Sequence, residues 1–132
     1  MSNLKPHILV TGGAGYIGSH VVLALREVGY DVVVIDNLSA GNALLVPNDV
    51  PLVVGEVGDQ DLIHNILTRY KVSSVMHFAG SIVVSESVHD PLKYYANNTD
   101  SSRRLLESCH NYGIQHFVFS STAAVYGNPI EN

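Results

Sequence analysis

The chain has little sulfur and little charge. Cys109 is the only cysteine among 132 residues, so no internal disulfide and no thiolate metal cage can form. That usage suits a reducing compartment, and a cytoplasmic location is expected. Charged side chains amount to 14%, about half the share of an ordinary soluble protein. With 46% hydrophobic residues this is not a disordered chain, because disorder needs low hydrophobicity and high charge. It is a domain part of whose surface expects cover. The 12 acidic and 7 basic side chains leave a net charge of -5, and only Arg103 and Arg104 stand side by side. Without a basic cluster a phosphate backbone cannot be neutralised, which excludes nucleic acid as a partner. No apolar run approaches the roughly 18–20 residues that span a bilayer, so no membrane partner is expected. Met1 to Pro6 carries one Lys, and the apolar segment behind it is soon cut by glycines, unlike a signal peptide. The seven histidines show no metal-ligand spacing and read as surface or satisfied core residues.

What is present is alternation. The length suffices for one domain with a real core and is too short for two. His7 to Val10 is a short apolar run that ends at glycines. Residues 16–28 carry Ile17, Val21, Ala24, Leu25 and Val28 at helical spacing, and Gly29 is a natural stop. Val32 to Ile35 is a β-branched run, apolar on both faces, as in a parallel strand covered on both sides. Residues 37–50 read as loop, and Leu52 to Val54 as a third strand. Asp59 or Asp61 caps a helix bearing Leu62, Ile63, Ile66, Leu67 and Tyr70. Ser74 to Phe78 is a fourth strand, a long helix runs from about Pro91 to Tyr112, and residues 115–120 form a fifth strand. Strands alternating with helices predict an α/β, doubly wound parallel sheet in the order 3-2-1-4-5. Ligands of such sheets bind at the carboxyl ends of the strands, so chemistry is expected just after residues 10, 35, 54, 78 and 120.

After the first strand come Thr11-Gly12-Gly13-Ala14-Gly15-Tyr16-Ile17-Gly18. Gly13, Gly15 and Gly18 give G-x-G-x-x-G, and Gly12, Gly15 and Gly18 give G-x-x-G-x-x-G. Glycines here permit a tight turn, close approach of backbone to a pyrophosphate, and helix-on-strand packing. The helix N-terminus that follows offers free N–H groups and a positive dipole end. Asp36 ends the second strand, where a dinucleotide fold places the acid for the adenosine ribose. An anion there repels a 2′-phosphate, and no Lys or Arg stands between Arg26 and Arg69 to receive one. NAD is therefore expected as cofactor over NADP, and the whole of 1–132 reads as one Rossmann-like NAD-binding domain.

TGGAGYIGSH at 11–20, DNLS at 36–39, HFAG at 77–80, ESV at 86–88, PLKYYANN at 91–98 and SSTAAVYG at 120–127 narrow the reading. With them the chain, from about residue 7 onward, resembles the extended short-chain dehydrogenase/reductase family, and most narrowly its UDP-sugar 4-epimerases. The resemblance implies an isomerase of galactose metabolism. It would interconvert UDP-glucose and UDP-galactose by transient NAD-dependent oxidation at the sugar C4. It also implies roles by position. Gly12, Gly15, Tyr16, Ile17 and Gly18 would hold the pyrophosphate, and Asp36 and Asn37 the adenosine ribose. Glu56 and Val57 would face adenine. Phe78, Ala79 and Gly80 would line the cofactor, with Asn97 reaching in from the long helix. Thr122 would hydrogen-bond the reacting sugar hydroxyl, whereas Tyr126 reads as packing.

Three departures stand out. The family usually has Asp at the place of Glu56, and many epimerases have Lys at the place of Ile82. The family's Tyr-x-x-x-Lys pair, which takes the sugar proton, is expected a little beyond residue 132. On that reading the chain is the cofactor-binding part of an epimerase, able to bind NAD and inactive alone. Two other readings compete. A dehydratase or decarboxylase shares the glycine loop, but dehydratases place Asp-Glu after the catalytic Thr, where this chain has Ala123 and Ala124. A non-catalytic NAD-binding module needs no Tyr and Lys. Self-association, as a homodimer or more loosely, is expected through the fifth strand and the helix 91–112.

Overall fold

The computed structural model describes residues 6–128. Five strands form one parallel sheet in the order β3-β2-β1-β4-β5, as the alternation predicts. They are β1 (His7–Thr11), β2 (Asp31–Asp36), β3 (Leu52–Val54), β4 (Ser74–His77) and β5 (His116–Phe119). Both faces are covered. Leu9, Val33, Ile35 and Val75 point to one face, where α2 (Gln60–Arg69) and α5 (Ser101–Tyr112) supply Ile63, Ile66, Leu67, Leu105 and Cys109. Val10, Val32 and Val34 point to the other, against Val22 of α1 (Tyr16–Glu27) and Ala14, Val46 and Val50. This two-sided cover is why the β-branched run of β2 carries no polar residue until Asp36. Burial pushes the Cys109 thiol up to about 11, so it behaves as a small apolar core residue.

The helix ends follow local chemistry. Of the two candidate caps for α2, Asp59 is the one used, its carboxylate accepting the Leu62 N–H at 3.0 Å. Gly113 ends α5 with φ 92°, a left-handed conformation that glycine adopts without strain. The expected single helix over 91–112 is instead three pieces: α4 (Pro91–Tyr94), a π turn (Tyr95–Asp100) and α5. Neither Gly nor Pro interrupts it. The widened turn carries Asn97 and Asn98, whose side chains both bond Ser81 in the loop after β4. A short 3-10 turn, Ala43–Leu45, lies inside the expected loop, started by the Asn42 side chain accepting the Leu44 N–H at 3.0 Å. A further helix, α3 (Val84–His89), precedes α4. It is tied there by an ion pair of Glu86 with Lys93 and by the Tyr94 hydroxyl, 2.8 Å from the Glu86 carboxylate. The bond to Lys93 holds the Glu86 carboxyl below its usual range. Among the described residues no helix is long and apolar enough to cross a membrane.

Candidate functional site

β1 ends at Thr11 and the chain turns at Gly12, whose φ is +67°. At three of its glycines there is no room for a Cβ. A Cβ on Gly12 would stand 2.7 Å from the Ala79 nitrogen, and one on Gly13 would stand 2.6 Å from Val34 Cγ1. A Cβ on Gly18 would stand 2.1 Å from the Gly12 carbonyl oxygen. Three of the glycines are thus required by close packing of the turn against α1, the Val34 side chain of β2 and the loop after β4. The next helix, α1, begins after Gly15 with no side-chain cap and no acid in its first turn. Its leading N–H groups and the positive end of its dipole therefore stand free for an anion. Tyr16 and Ile17, 80% and 58% exposed, flank that end.

Asp36 is buried at the end of β2. Its Oδ2 accepts the Ala14 N–H at 3.0 Å and its Oδ1 the Leu38 N–H at 2.8 Å. The carboxylate thereby joins the glycine turn to the loop after β2, and each oxygen keeps a further lone pair for a hydroxyl. That loop also donates the Asn42 N–H to the Ala14 carbonyl at 2.9 Å. Asn37 Nδ2 donates to Glu56 Oε1 at 3.0 Å, which brings the ends of β2 and β3 together. Glu56 is exposed, whereas the Val57 side chain is buried in the core with Leu105. The cation before this segment, Arg26, is engaged elsewhere, in ion pairs with Asp49 and Asp31.

The sequence reading missed a buried polar chain at the end of β4. Thr11 Oγ1 lies 2.6 Å from His77 Nδ1, and His77 Nε2 lies 2.8 Å from Ser102 Oγ on α5. The same Thr11 oxygen accepts the N–H groups of Phe78 at 3.2 Å and Ala79 at 3.3 Å. Phe78 also shares its N–H with the Thr11 carbonyl, at 3.1 Å. With the Thr11 hydroxyl oxygen accepting from both amides, its own hydrogen is directed to Nδ1. His77 is therefore neutral, protonated on Nε2, and donates to Ser102. It is 1% exposed, and burial pushes its pKa down to about 4. The signal for this chain was present: a Thr and a His each end an apolar strand, and the order 3-2-1-4-5 makes those strands neighbours, with Thr11 paired to His77.

The remaining expected residues lie as follows. Phe78 and Ala79 are half-buried and Gly80 is exposed. Asn97 Nδ2 donates to Ser81 Oγ at 2.6 Å. Thr122 is exposed after β5, and its Oγ1 accepts the Ala124 N–H at 3.2 Å to open the 3-10 turn Ala123–Tyr126. Tyr126, expected to pack, is 89% exposed, because nothing in the described residues lies over that turn. The structure thus brings the glycine turn, Asp36, Asn37, Glu56 and the segment 78–80 to one edge of the sheet, formed by the carboxyl ends of β1 to β4. Thr122 follows the carboxyl end of β5.

Comparisons with known proteins agree with this geometry. The family described as "NAD dependent epimerase/dehydratase family" matches residues 8–132. The chain is 56% identical over 125 residues to the UDP-glucose 4-epimerase of Azospirillum brasilense, covering 95% of this chain and 36% of that protein. It is 46% identical to the UDP-glucose 4-epimerase of Halalkalibacterium halodurans, over 94% of this chain and 37% of the relative. Its fold is similar to a crystal structure of UDP-glucose 4-epimerase from Brucella ovis in complex with NAD, with TM-score 0.88 and 42% identity over 96% of this chain and 39% of that one. It is also similar to UDP-glucose 4-epimerase from Thermotoga maritima with UDP-glucose, at TM-score 0.87 and 38% identity over 96% of this chain and 41% of that one. The chain spans little more than a third of the length of the curated relatives it matches.

Proposed function

The chain belongs to the NAD dependent epimerase/dehydratase family, and on that premise we propose that its 132 residues hold NAD for an epimerase interconverting UDP-glucose and UDP-galactose. The observation that carries the reading is the junction of the glycine turn with the buried Asp36 carboxylate, 3.0 Å from the Ala14 N–H. It sets an anion-receiving helix end beside an acceptor for ribose hydroxyls.

Each element has a part in this reading. Gly12, Gly15, Tyr16, Ile17 and Gly18 receive the pyrophosphate, and Asp36 and Asn37 the adenosine ribose. Glu56 borders adenine with its side chain and Val57 with its backbone. Phe78, Ala79, Gly80 and Asn97 border the other half of the dinucleotide. Bound there, NAD supplies the acceptor for a hydride from the sugar carbon. Thr122 holds the substrate hydroxyl: its oxygen takes the Ala124 N–H and keeps a hydrogen to donate. No Tyr stands four residues before a Lys in this sequence, so residues 1–132 hold the cofactor and do not themselves supply the proton acceptor. A lone buried cysteine fits a reducing cytoplasm.

Calorimetric titration of the 132-residue chain with NAD and NADP tests the reading. NAD should bind at least about tenfold more tightly, since a 2′-phosphate would meet the Asp36 carboxylate with Arg26 already paired. Asp36→Ala should narrow the gap by weakening NAD. Equal affinities in the parent would sink the argument.

A further inference from the structure

Resting on the cofactor reading above, we propose that Arg104 is a positioning residue for the adenine half of NAD: from α5 it fixes the turn after β3 that carries Glu56. Its Nη1 donates to the Gly58 carbonyl at 3.1 Å, between residues 46 apart in the chain. Gly58 is buried, and it stands one residue before Asp59, the cap of α2. Its carbonyl therefore lies outside the helix, where no helical N–H serves it, and a buried carbonyl needs a donor. The guanidinium supplies one. That group is itself aimed, because Nε lies 3.5 Å from Asp100 Oδ2, four residues earlier. A planar fork held at Nε directs its other nitrogens, which a lysine ammonium cannot do.

Two further residues of α5 hold the same stretch. A Cβ on Gly58 would stand 3.0 Å from Ser101 Oγ and 3.3 Å from Ser101 Cα. The Ser101 hydroxyl is occupied, donating to the Ala96 carbonyl at 3.1 Å. Leu105, next to Arg104, shares the core with Val57. Two main-chain bonds complete the turn: the Gly55 N–H donates to the Asp36 carbonyl and the Asp59 N–H to the Glu56 carbonyl, both at 3.1 Å. The backbone on either side of Glu56 is thus fixed, to β2 upstream and to α5 downstream.

Glu56 is the group in this turn whose direction matters to the cofactor. One carboxylate oxygen accepts from Asn37 at 3.0 Å, and the other is left for a donor such as the amino group of adenine. The side chain is exposed, so its aim depends on Asn37 and on the main chain beneath it. Loosening that main chain at Gly58 should therefore blur the reading of the base, with the glycine turn and Asp36 untouched.

The test is calorimetric titration of the 132-residue parent, Arg104→Ala and Arg104→Lys with NAD and with nicotinamide hypoxanthine dinucleotide. The two ligands carry the same charge. They differ at the edge of the base, where a carbonyl oxygen replaces the amino group of adenine. The parent should bind NAD about tenfold more tightly, because a carboxylate accepts from an amino group and repels an oxygen. Arg104→Ala should cut that ratio to about threefold or less, as expected for lost preorganisation. Loss of a positive charge, or general loosening of the fold, would weaken both ligands alike and cancels in the ratio. Arg104→Lys keeps the charge without the fork. It should fall between parent and Ala, and it carries the same test if the Ala variant fails to fold. An unchanged ratio in the variant that folds, or a parent that does not distinguish the two ligands, would overturn the proposal. A parent that binds neither ligand would instead overturn the cofactor reading beneath it.

Discussion

Acid should unfold this chain sooner than its carboxylates alone would cause, because of His77. In the folded chain its pKa falls from 6.5 to about 4, with burial as the cause. An added proton would sit on Nδ1 and face the Thr11 oxygen, whose lone pairs already serve Phe78 and Ala79. Above the unfolded value both states are neutral, and the contribution of His77 is fully present. As pH falls toward the folded value, the unfolded chain takes up a proton that the folded chain refuses, and stability is lost. At 1.36 kcal/mol per pH unit of separation, the total comes to about 3 kcal/mol, of which about 2 kcal/mol is lost between about pH 7 and pH 5. Urea unfolding followed by circular dichroism over that range, on the parent and His77→Gln, isolates the effect. Both proteins share every other titrating group, so the carboxylates and remaining histidines cancel in the difference. The variant starts less stable, and the gap should shrink by about 2 kcal/mol as the pH drops. Parallel curves for the two proteins would refute the reasoning.

Gly18→Ala should lower stability by about 2 kcal/mol or more, since its Cβ would stand 2.1 Å from a backbone oxygen that cannot move freely. A melting temperature within about one degree of the parent would show that the turn can open to receive it. The exposed apolar side chains of β5 and the helix, Val118, Phe119, Leu92 and Tyr95, should draw chains together at high concentration. Light scattering over a dilution series reads this. A monomer throughout, with a cooperative melt and no binding of a hydrophobic dye, would show that this surface needs no cover.

Much of this architecture is legible in the residues. β2 announces itself as a twice-covered strand because Val32, Val33, Val34 and Ile35 are all apolar and β-branched, and both faces are indeed filled. Gly113 and Asp59 act where their chemistry says they should, at a helix stop and a helix start. The glycine turn and Asp36 come to one edge because strand order alone dictates it. The rest depends on partners far apart in the chain. Nothing near Asn98 in sequence says that it will meet Ser81, and helical periodicity favours Asn97 no more and no less than its neighbour. The π turn leaves no compositional mark, since no breaker residue makes it. Asp36 reads as a ribose acceptor, but its two bonds to Ala14 and Leu38 show that it also braces the turn itself. Val57 reads as an adenine contact, yet the turn after β3 buries its side chain in the core cluster that includes Leu105.

The π turn also decouples the two ends of its helix. Successive residues of an α-helix are turned by about 100°, so the phase at one end ordinarily dictates the phase at the other. Here residues 97 and 98 are aimed by a loop at the sheet edge, while Leu105, Ser108 and Cys109 are aimed by the sheet face. The widened turn absorbs the mismatch between those two demands, like a coupling between two shafts. Such a helix is sensitive to length more than to composition. Losing one residue between 95 and 100 would rotate one end against the other and force a choice between the Ser81 loop and the core, whereas exchanging one exposed side chain for another in the same stretch disturbs neither.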